Sequence, residues 1–216
     1  FRQQGYLAFH AENELWLGLF GLLLWQPLFE SEQSAIYNEF ERRPRDLSSG
    51  EFYQRQQALI EQQIALLDDP TIAVKQLLKT YTAQFQKPNA VFSWHPDLAT
   101  MLPLLVLGAP KGTLSKIIRQ MAQDFRRCSS GFPDLLLARE SAAGTPEIQL
   151  VELKAVGDSL RRNQLTRLMS LREFGFDVAL MQVQWWQSPD RVYVVIDVET
   201  TGGKPDNDRI TDIAAY

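Results

Sequence analysis

The apolar positions of this chain fall into two regimes. Residues 12–25, ENELWLGLFGLLLW, become apolar nearly all round after two acids, which predicts a helix buried on most sides. Helical spacing recurs over 51–67 and 69–85, where Asp69 before Pro70 supplies a cap and a first-turn proline. Further helices are expected over 96–107 and 113–127, and RRPRDLSSG (42–50) is a polar loop. Beyond residue 130 the character changes. DLLLA (134–138) and EIQLVELKA (147–155) have the composition of strands, joined by the polar connector RESAAGTP. Residues 158–175 predict a helix capped by Asp158 and closed by Gly175, and 176–184 returns as a strand. Helices followed by β-β-α-β define an α/β (α+β) chain, with a helical subdomain (1–110) ahead of an α/β core (111–186). A linker is expected at 187–192, and a new apolar strand opens a further segment at 193–216.

Composition narrows the class. With 45% hydrophobic and 22% charged residues in 216, the chain can bury a large core, which excludes wholesale disorder. Phe1 in place of Met, and Tyr216 without an obvious close, lead us to expect a piece of a longer protein. The single cysteine, Cys128, excludes an internal disulfide and a cysteine-based zinc cluster. Arg126 and Arg127 beside it would favour a thiolate, but no histidine lies nearby in sequence to serve a nucleophile. The most apolar stretch, LWLGLFGLLLWQPLF, is shorter than the roughly 20 residues a membrane helix needs and lacks a basic leader. A core helix and a cytoplasmic protein without membrane attachment are therefore expected, nucleoid-associated if the chain is bacterial.

The net charge of −4 conceals an asymmetry. Residues 111–175 carry eleven Lys/Arg against seven Asp/Glu, and the remainder eleven against nineteen. A basic region on an acidic protein fits a local phosphate-binding face, although a solvated surface produces the same asymmetry.

The candidate chemistry lies on the two strands. Side chains alternate along a strand, so Glu152 and Lys154 share one face while Val151 and Leu153 share the other. Asp134 opens the preceding strand behind Pro133, and hairpin pairing would bring it to Glu152. Two adjacent carboxylates repel unless a cation sits between them, and hard oxygen ligands suit Mg2+ or Mn2+. Lys154 would then position an attacking water and offset charge developing on a phosphoryl group. Two strand-end carboxylates with Lys154 in a surface ion pair is the alternative on spacing alone. On the following helix Gln164 shares the stripe of Leu160, Leu168 and Leu171. A polar amide on that stripe either finds a partner at Glu152/Lys154 or sits half-exposed at its edge.

An acid opening one strand followed by Glu-x-Lys on the next is the PD-(D/E)xK nuclease arrangement. GFPDLLL, VELKAVGDSLRRNQ and LMSLREFGFDVALMQV resemble the VRR-NUC domain, a branch of that superfamily with a restriction-endonuclease-like core. Upstream, HAENELWLGLFGLLLWQPLF, EFYQRQQALI and LGAPKGTLSKIIRQMAQDFRRC resemble the Fanconi-associated nuclease family, so the similarity covers about residues 8–185. The resemblance implies a divalent-metal phosphodiesterase that cuts branched or flapped DNA and trims from 5′ ends in interstrand crosslink repair. It also implies that Glu12, Asp134 and Glu152 are metal ligands, Lys154 the catalytic lysine and Gln164 the family's helix glutamine. From the residues alone, Glu12 reads as a carboxylate stabilising a helix N-terminus. The same resemblance implies a DNA-phosphate contact for Arg126. Where the family can carry a lysine this chain has Asn163, and Arg161 and Arg162 are expected to supply that charge.

VYVVIDVETTGGKPDNDRITDIAAY is similar to the opening of a DnaQ-like, DEDD-type 3′–5′ exonuclease. There Asp197 and Glu199 would belong to a two-metal motif, with Thr200, Thr201 and Gly202 in the turn. Two further acids are needed from later segments, so this pair is expected to be silent in the present chain. Two alternatives to a flap nuclease therefore stand: a structure-reading DNA-binding module without cutting activity, and a parent protein whose activity resides in the exonuclease.

Overall fold

The computed structural model describes residues 5–141 and 144–184 in full, together with the backbone of 196–200 and 210–215. The chain divides into two compact units, Phe1–Val183 and Gln184–Tyr216.

In the first unit, α1 (Glu12–Leu23) is the central helix. Leu15, Trp16, Leu19, Phe20, Leu22 and Leu23 are all buried, as its all-round apolar sequence requires. Gln26–Glu30 continues it as a π-helical turn with Pro27 near the start, where a proline's missing N–H is tolerated. The expected helix at 51–67 forms as α2 (Glu51–Arg55) and α3 (Gln57–Ala65), broken at Gln56, with a 3-10 turn at Leu66–Asp68. Gln56 is buried at the break and donates to the Pro27 carbonyl at 2.8 Å. Helix α4 (Pro70–Gln84) starts as its sequence predicts, with the Asp69 carboxylate accepting from the Thr71 and Ile72 amides at 2.9 and 3.1 Å. Helices α5 (Leu98–Gly108) and α6 (Thr113–Gln123) follow. The helix expected through residue 127 stops at Asp124, whose side chain instead caps a short α7 (Phe125–Cys128) through the Arg127 amide.

Among the described residues, four strands of the first unit form one sheet, paired in chain order. β2 (Leu135–Glu140) and β3 (Pro146–Ala155) pair antiparallel, with Leu135 opposite Val151. β1 (Leu7–His10) was not legible as a strand and adds antiparallel to β2. β4 (Val178–Val183) runs parallel to β3 and is reached through α8 (Arg162–Glu173). Gly175 closes α8 as predicted. At φ 92° it donates to Arg172 O while Phe176 N reaches Leu171 O. Asp158 does not cap α8. Its carboxylate accepts from the Ala155 amide at 3.1 Å in the turn leaving β3, and the cap position falls to Arg161.

One buried apolar cluster runs from Ala11 to Phe176 and joins α1 to the other helices and to β2 and β3. Trp16, Phe20, Phe52 and Phe132 are its largest fully buried side chains. Gln184–Tyr216 contributes β5 (Ile196–Thr200) and β6 (Ile210–Ala215), an antiparallel pair with Glu199 opposite Asp212. The expected linker at 187–192 and the residues Thr201 and Gly202 lie outside the described residues. No single helix among the described residues is long and apolar enough to cross a membrane.

Candidate active site

The hairpin register places Asp134, the residue before β2, across from Glu152. The Asp134 carboxylate accepts from the Leu153 amide at 2.7 Å, and its carbonyl accepts from the amides of Ala11 and Glu12 at 2.8 and 3.2 Å. One residue thus ties the start of α1 to the middle of β3. Glu12 begins α1 at φ 37°, a backbone conformation rarely adopted by a side chain other than glycine. Gly131 makes the approach to Asp134 possible. It has φ 84°, and a Cβ there would stand 3.0 Å from the Asn163 carbonyl at the head of α8.

Glu152 has 0% exposure. One of its oxygens, Oε1, is held by the Lys154 ammonium at 2.8 Å and by the Gln164 amide nitrogen at 2.6 Å. Its other oxygen, Oε2, is buried with no hydrogen-bond partner. Burial raises its pKa above the ordinary carboxylate range, Lys154 opposes that, and the charges of Asp134 and Glu12 raise it further. Gln164 is fully engaged. Its Oε1 accepts from Lys154 Nζ at 3.3 Å and from the Arg161 amide at 3.1 Å, while its Nε2 serves Glu152. Turning the amide over would set N–H groups against two donors, so its orientation is fixed by chemistry. Of the two readings the sequence left for Gln164, the partnered one holds.

The three acids approach without closing. Among the described residues no group of three His, Cys, Asp or Glu side chains is arranged to hold a metal ion. The Asp134 carboxylate is turned to the Leu153 amide and the Glu152 carboxylate to Lys154 and Gln164, with Glu12 exposed at the rim. What fits a divalent cation here is the donor chemistry. The orphaned Oε2 of Glu152 and the second oxygen of Asp134 are hard anionic ligands, and Glu12 lies near enough for its charge to act on Glu152.

Arg126 and Arg162, both exposed, line an open groove of about 720 Å³ together with Arg127, Asn163 and Arg167. Arg161 stands exposed at the head of α8. Arg167 is one residue that sequence reasoning missed: it is only 8% exposed and lies against Phe132. Its signal was available, since it falls on the same helical stripe as Gln164 and Leu171 and is charged. Asp197 and Glu199 lie two residues apart on β5, and their side chains are outside the described residues.

An acid at the head of one strand, Glu-x-Lys on the next and a glutamine reaching in from the following helix match a known class. The VRR-NUC domain matches residues 68–185, more than half of the chain, and the chain belongs to that family. Similar curated proteins are Fanconi-associated nuclease 1 homologs. The one from Oryza sativa subsp. japonica is 33% identical over 180 residues, covering 83% of this chain and 19% of the relative. The one from Pseudomonas aeruginosa is 28% identical over 183 residues, covering 85% and 32%. Human Fanconi-associated nuclease 1 is 28% identical over 195 residues, covering 85% and 18%. The fold superimposes on the crystal structure of paFAN1 bound to DNA with a 2-nucleotide 5′ flap and gap, with TM-score 0.75 and 29% identity over 86% of this chain and 33% of that one. The chain spans between about a fifth and a third of the length of these relatives.

Proposed function

We propose that this chain carries the cutting centre of a metal-dependent, structure-specific DNA nuclease, a flap endonuclease with 5′–3′ exonuclease action in repair of lesions such as interstrand crosslinks. The observation that carries the reading is the Glu152 carboxylate. It is fully buried, with Oε1 clamped by Lys154 and Gln164 while Oε2 has no partner in the protein. A buried ionised oxygen left without a donor is costly, and a cation removes that cost. In this proposal Glu152 and Asp134, joined by Glu12, hold Mg2+ or Mn2+. Such an ion supplies Lewis acidity toward a phosphodiester oxygen and acidifies water at neutral pH.

The remaining work falls to the protein. Lys154 is only 17% exposed and its ammonium is fixed by two acceptors, so it can present positive charge to a phosphoryl oxygen without reorganising. Gln164 holds both Glu152 and Lys154 in place. Arg126 and Arg162 on the groove, and Arg161 beside it, supply sequence-independent contacts to DNA phosphates. The paFAN1 structure was solved with flap DNA, which favours this substrate class over an intact duplex.

The test is cleavage of an end-labelled 5′-flap duplex with Mg2+ or Mn2+, with and without chelator. Lys154→Ala should fold and lose cutting by orders of magnitude, and a variant that still cuts overturns the assignment. Metal titration calorimetry without heat from folded protein would favour a DNA-binding module that does not cut. A second proposal concerns residues 193–216 as the opening of a DnaQ-like exonuclease, supported by the antiparallel pairing of β5 with β6. Comparing 5′- and 3′-labelled substrates on this chain and on a longer parent separates the two activities.

A further inference from the structure

The guanidinium of Arg167 is buried without a carboxylate. Its Nη2 donates to the Cys128 carbonyl at 2.7 Å, and its Cζ lies 4.4 Å from the centroid of the Phe132 ring. Its Nε is buried and unpartnered, and no ion pair involving it occurs among the described residues. Burial accordingly lowers its pKa, although it stays charged. An apolar side chain would fill this position without desolvating a charge, so packing alone does not account for an arginine here.

The neighbours of the ring account for it better. Phe132, 1% exposed, lies between Arg167 and Trp16, with the Trp16 and Phe132 rings stacked at 4.5 Å and 12°. Trp16 is one turn along α1 from Glu12, Phe132 is two residues before Asp134, and Arg167 is one turn along α8 from Gln164. The Phe132 amide also donates to Asn13 Oδ1 at 3.2 Å. The stack therefore crosses all three elements that converge on Glu152. It also reaches α7 through Cys128, two residues from Arg126.

We propose that Arg167 is a positioning residue: acting through the Phe132 ring and the Cys128 carbonyl, it fixes the Asp134-bearing segment against α1 and α8. The planar guanidinium can cover a ring and bond a carbonyl at once, which an ammonium cannot do with the same geometry. This rests on the proposed nuclease reading for its consequence in catalysis, but its structural consequence is independent of that reading.

Two measurements on the 216-residue chain separate these. The first is amide hydrogen exchange in Arg167→Met without DNA or metal. Residues 10–13 and 128–135 should exchange about tenfold faster or more while the remaining helices keep wild-type protection. Protection unchanged in those two segments overturns the proposal, whether or not the protein cuts DNA. Should the methionine variant not fold, Arg167→Lys serves instead. It keeps a donor and an aliphatic stem, and it should show the same two segments loosened. The second measurement is steady-state cleavage of the flap duplex. Misplacement of the reacting groups should lower kcat on the order of 100-fold while KM changes within about twofold. A loss confined to KM would make Arg167 a DNA contact and overturn positioning. Phe132→Leu should lower kcat in the same way, and the double variant should be no worse than the worse single one. Additive losses would show that the two act separately and overturn the proposal. Wild-type protein that does not cut flap DNA refutes the nuclease reading alone, since the exchange result still decides the role of Arg167.

Discussion

The side-chain amide of Gln164 reaches from α8 to the buried carboxylate of Glu152 at 2.6 Å, while its own oxygen holds the Lys154 ammonium. A helix side chain thus sets the rotamers of two strand side chains that must act together. Gln164→Leu removes both bonds, together with the one accepted from the Arg161 amide, and leaves Lys154 with Glu152 alone. Groups that orient ligands in this way are worth about 10–100-fold in metal affinity or activity. We expect a loss of that size in flap cleavage, with Tm close to that of the wild type. Gln164→Glu should be worse, because it sets a second negative charge against Glu152.

Glu152 itself should destabilise the metal-free fold. Burial and the charges of Asp134 and Glu12 raise its pKa in the folded chain. The unfolded chain therefore ionises it more readily, and folding is penalised as pH rises from its unfolded pKa through the raised folded value. Glu152→Gln should abolish cutting yet give metal-free protein at neutral pH a Tm at or above that of the wild type. Each kcal/mol gained corresponds to about 2–4 °C in a chain of this size. Added Mn2+ should raise the Tm of the wild type and not of the variant. Thermal scans from pH 4 to 8 with chelator and with Mn2+ check both points. A clear drop in the metal-free Tm of the variant contradicts the argument.

The opposite sign is expected at Glu61. Arg119 binds its carboxylate through two nitrogens at 2.7 and 2.6 Å, and the Tyr53 hydroxyl donates to it at 2.8 Å. The hydrogen bonds from Arg119 outweigh partial burial and lower its pKa. Its contribution to stability is therefore complete above the ordinary carboxylate range, and it is lost as pH falls through the lowered folded value. Glu61→Gln should be less stable than the wild type at pH 7, and the gap should narrow on acidification. Because the pair lies on α3 and α6, flap cleavage should remain within about twofold of wild type at neutral pH.

What the sequence made legible follows from which signals are local. β2 and β3 could be read because Leu135–Leu137 is an apolar run behind Pro133, and Ile148, Leu150, Val151 and Leu153 supply strand-forming apolar positions beyond a polar connector. Asp69 and Gly175 could be placed because their chemistry acts within one turn. Asp158 misled for the converse reason: a cap residue near a helix start has two local amides to choose from, and it took Ala155. β1, only four residues long, gains its pairing wholly from β2, so nothing within LAFH announces it. In the site, the Asp134/Glu152/Lys154 spacing followed from strand alternation. The nearness of Glu12 did not, since it depends on the Asp134 carbonyl bonding to two amides more than 120 residues earlier in the chain. The place of Arg167 on the stripe of Gln164 and Leu171 was legible, but what it does there was not, because its ring partner Phe132 comes from a distant segment of the chain.

Gly131 offers a test of how narrowly the segment before Asp134 is specified. Its φ of 84° lies where a side chain costs roughly 1–2 kcal/mol. A Cβ there would also stand 3.0 Å from the Asn163 carbonyl, 3.1 Å from its carbon and 3.3 Å from the Gln164 nitrogen. These are backbone atoms at the first turn of α8, so relief requires moving either α8 or the segment that carries Phe132 and Asp134. Gly131→Ala should therefore lower Tm by a few degrees and cut flap cleavage further than the lost stability explains. Gly144 provides the comparison. It also has positive φ, 77°, yet an added Cβ meets nothing within 4 Å, so Gly144→Ala bears the conformational cost without displacing α8. If the two alanine variants lose similar stability and only Gly131→Ala loses cleavage, the close approach at α8 controls the site. Equal activity in both would mean that the segment tolerates movement and that Asp134 is held by its own bonds to Ala11, Glu12 and Leu153 alone.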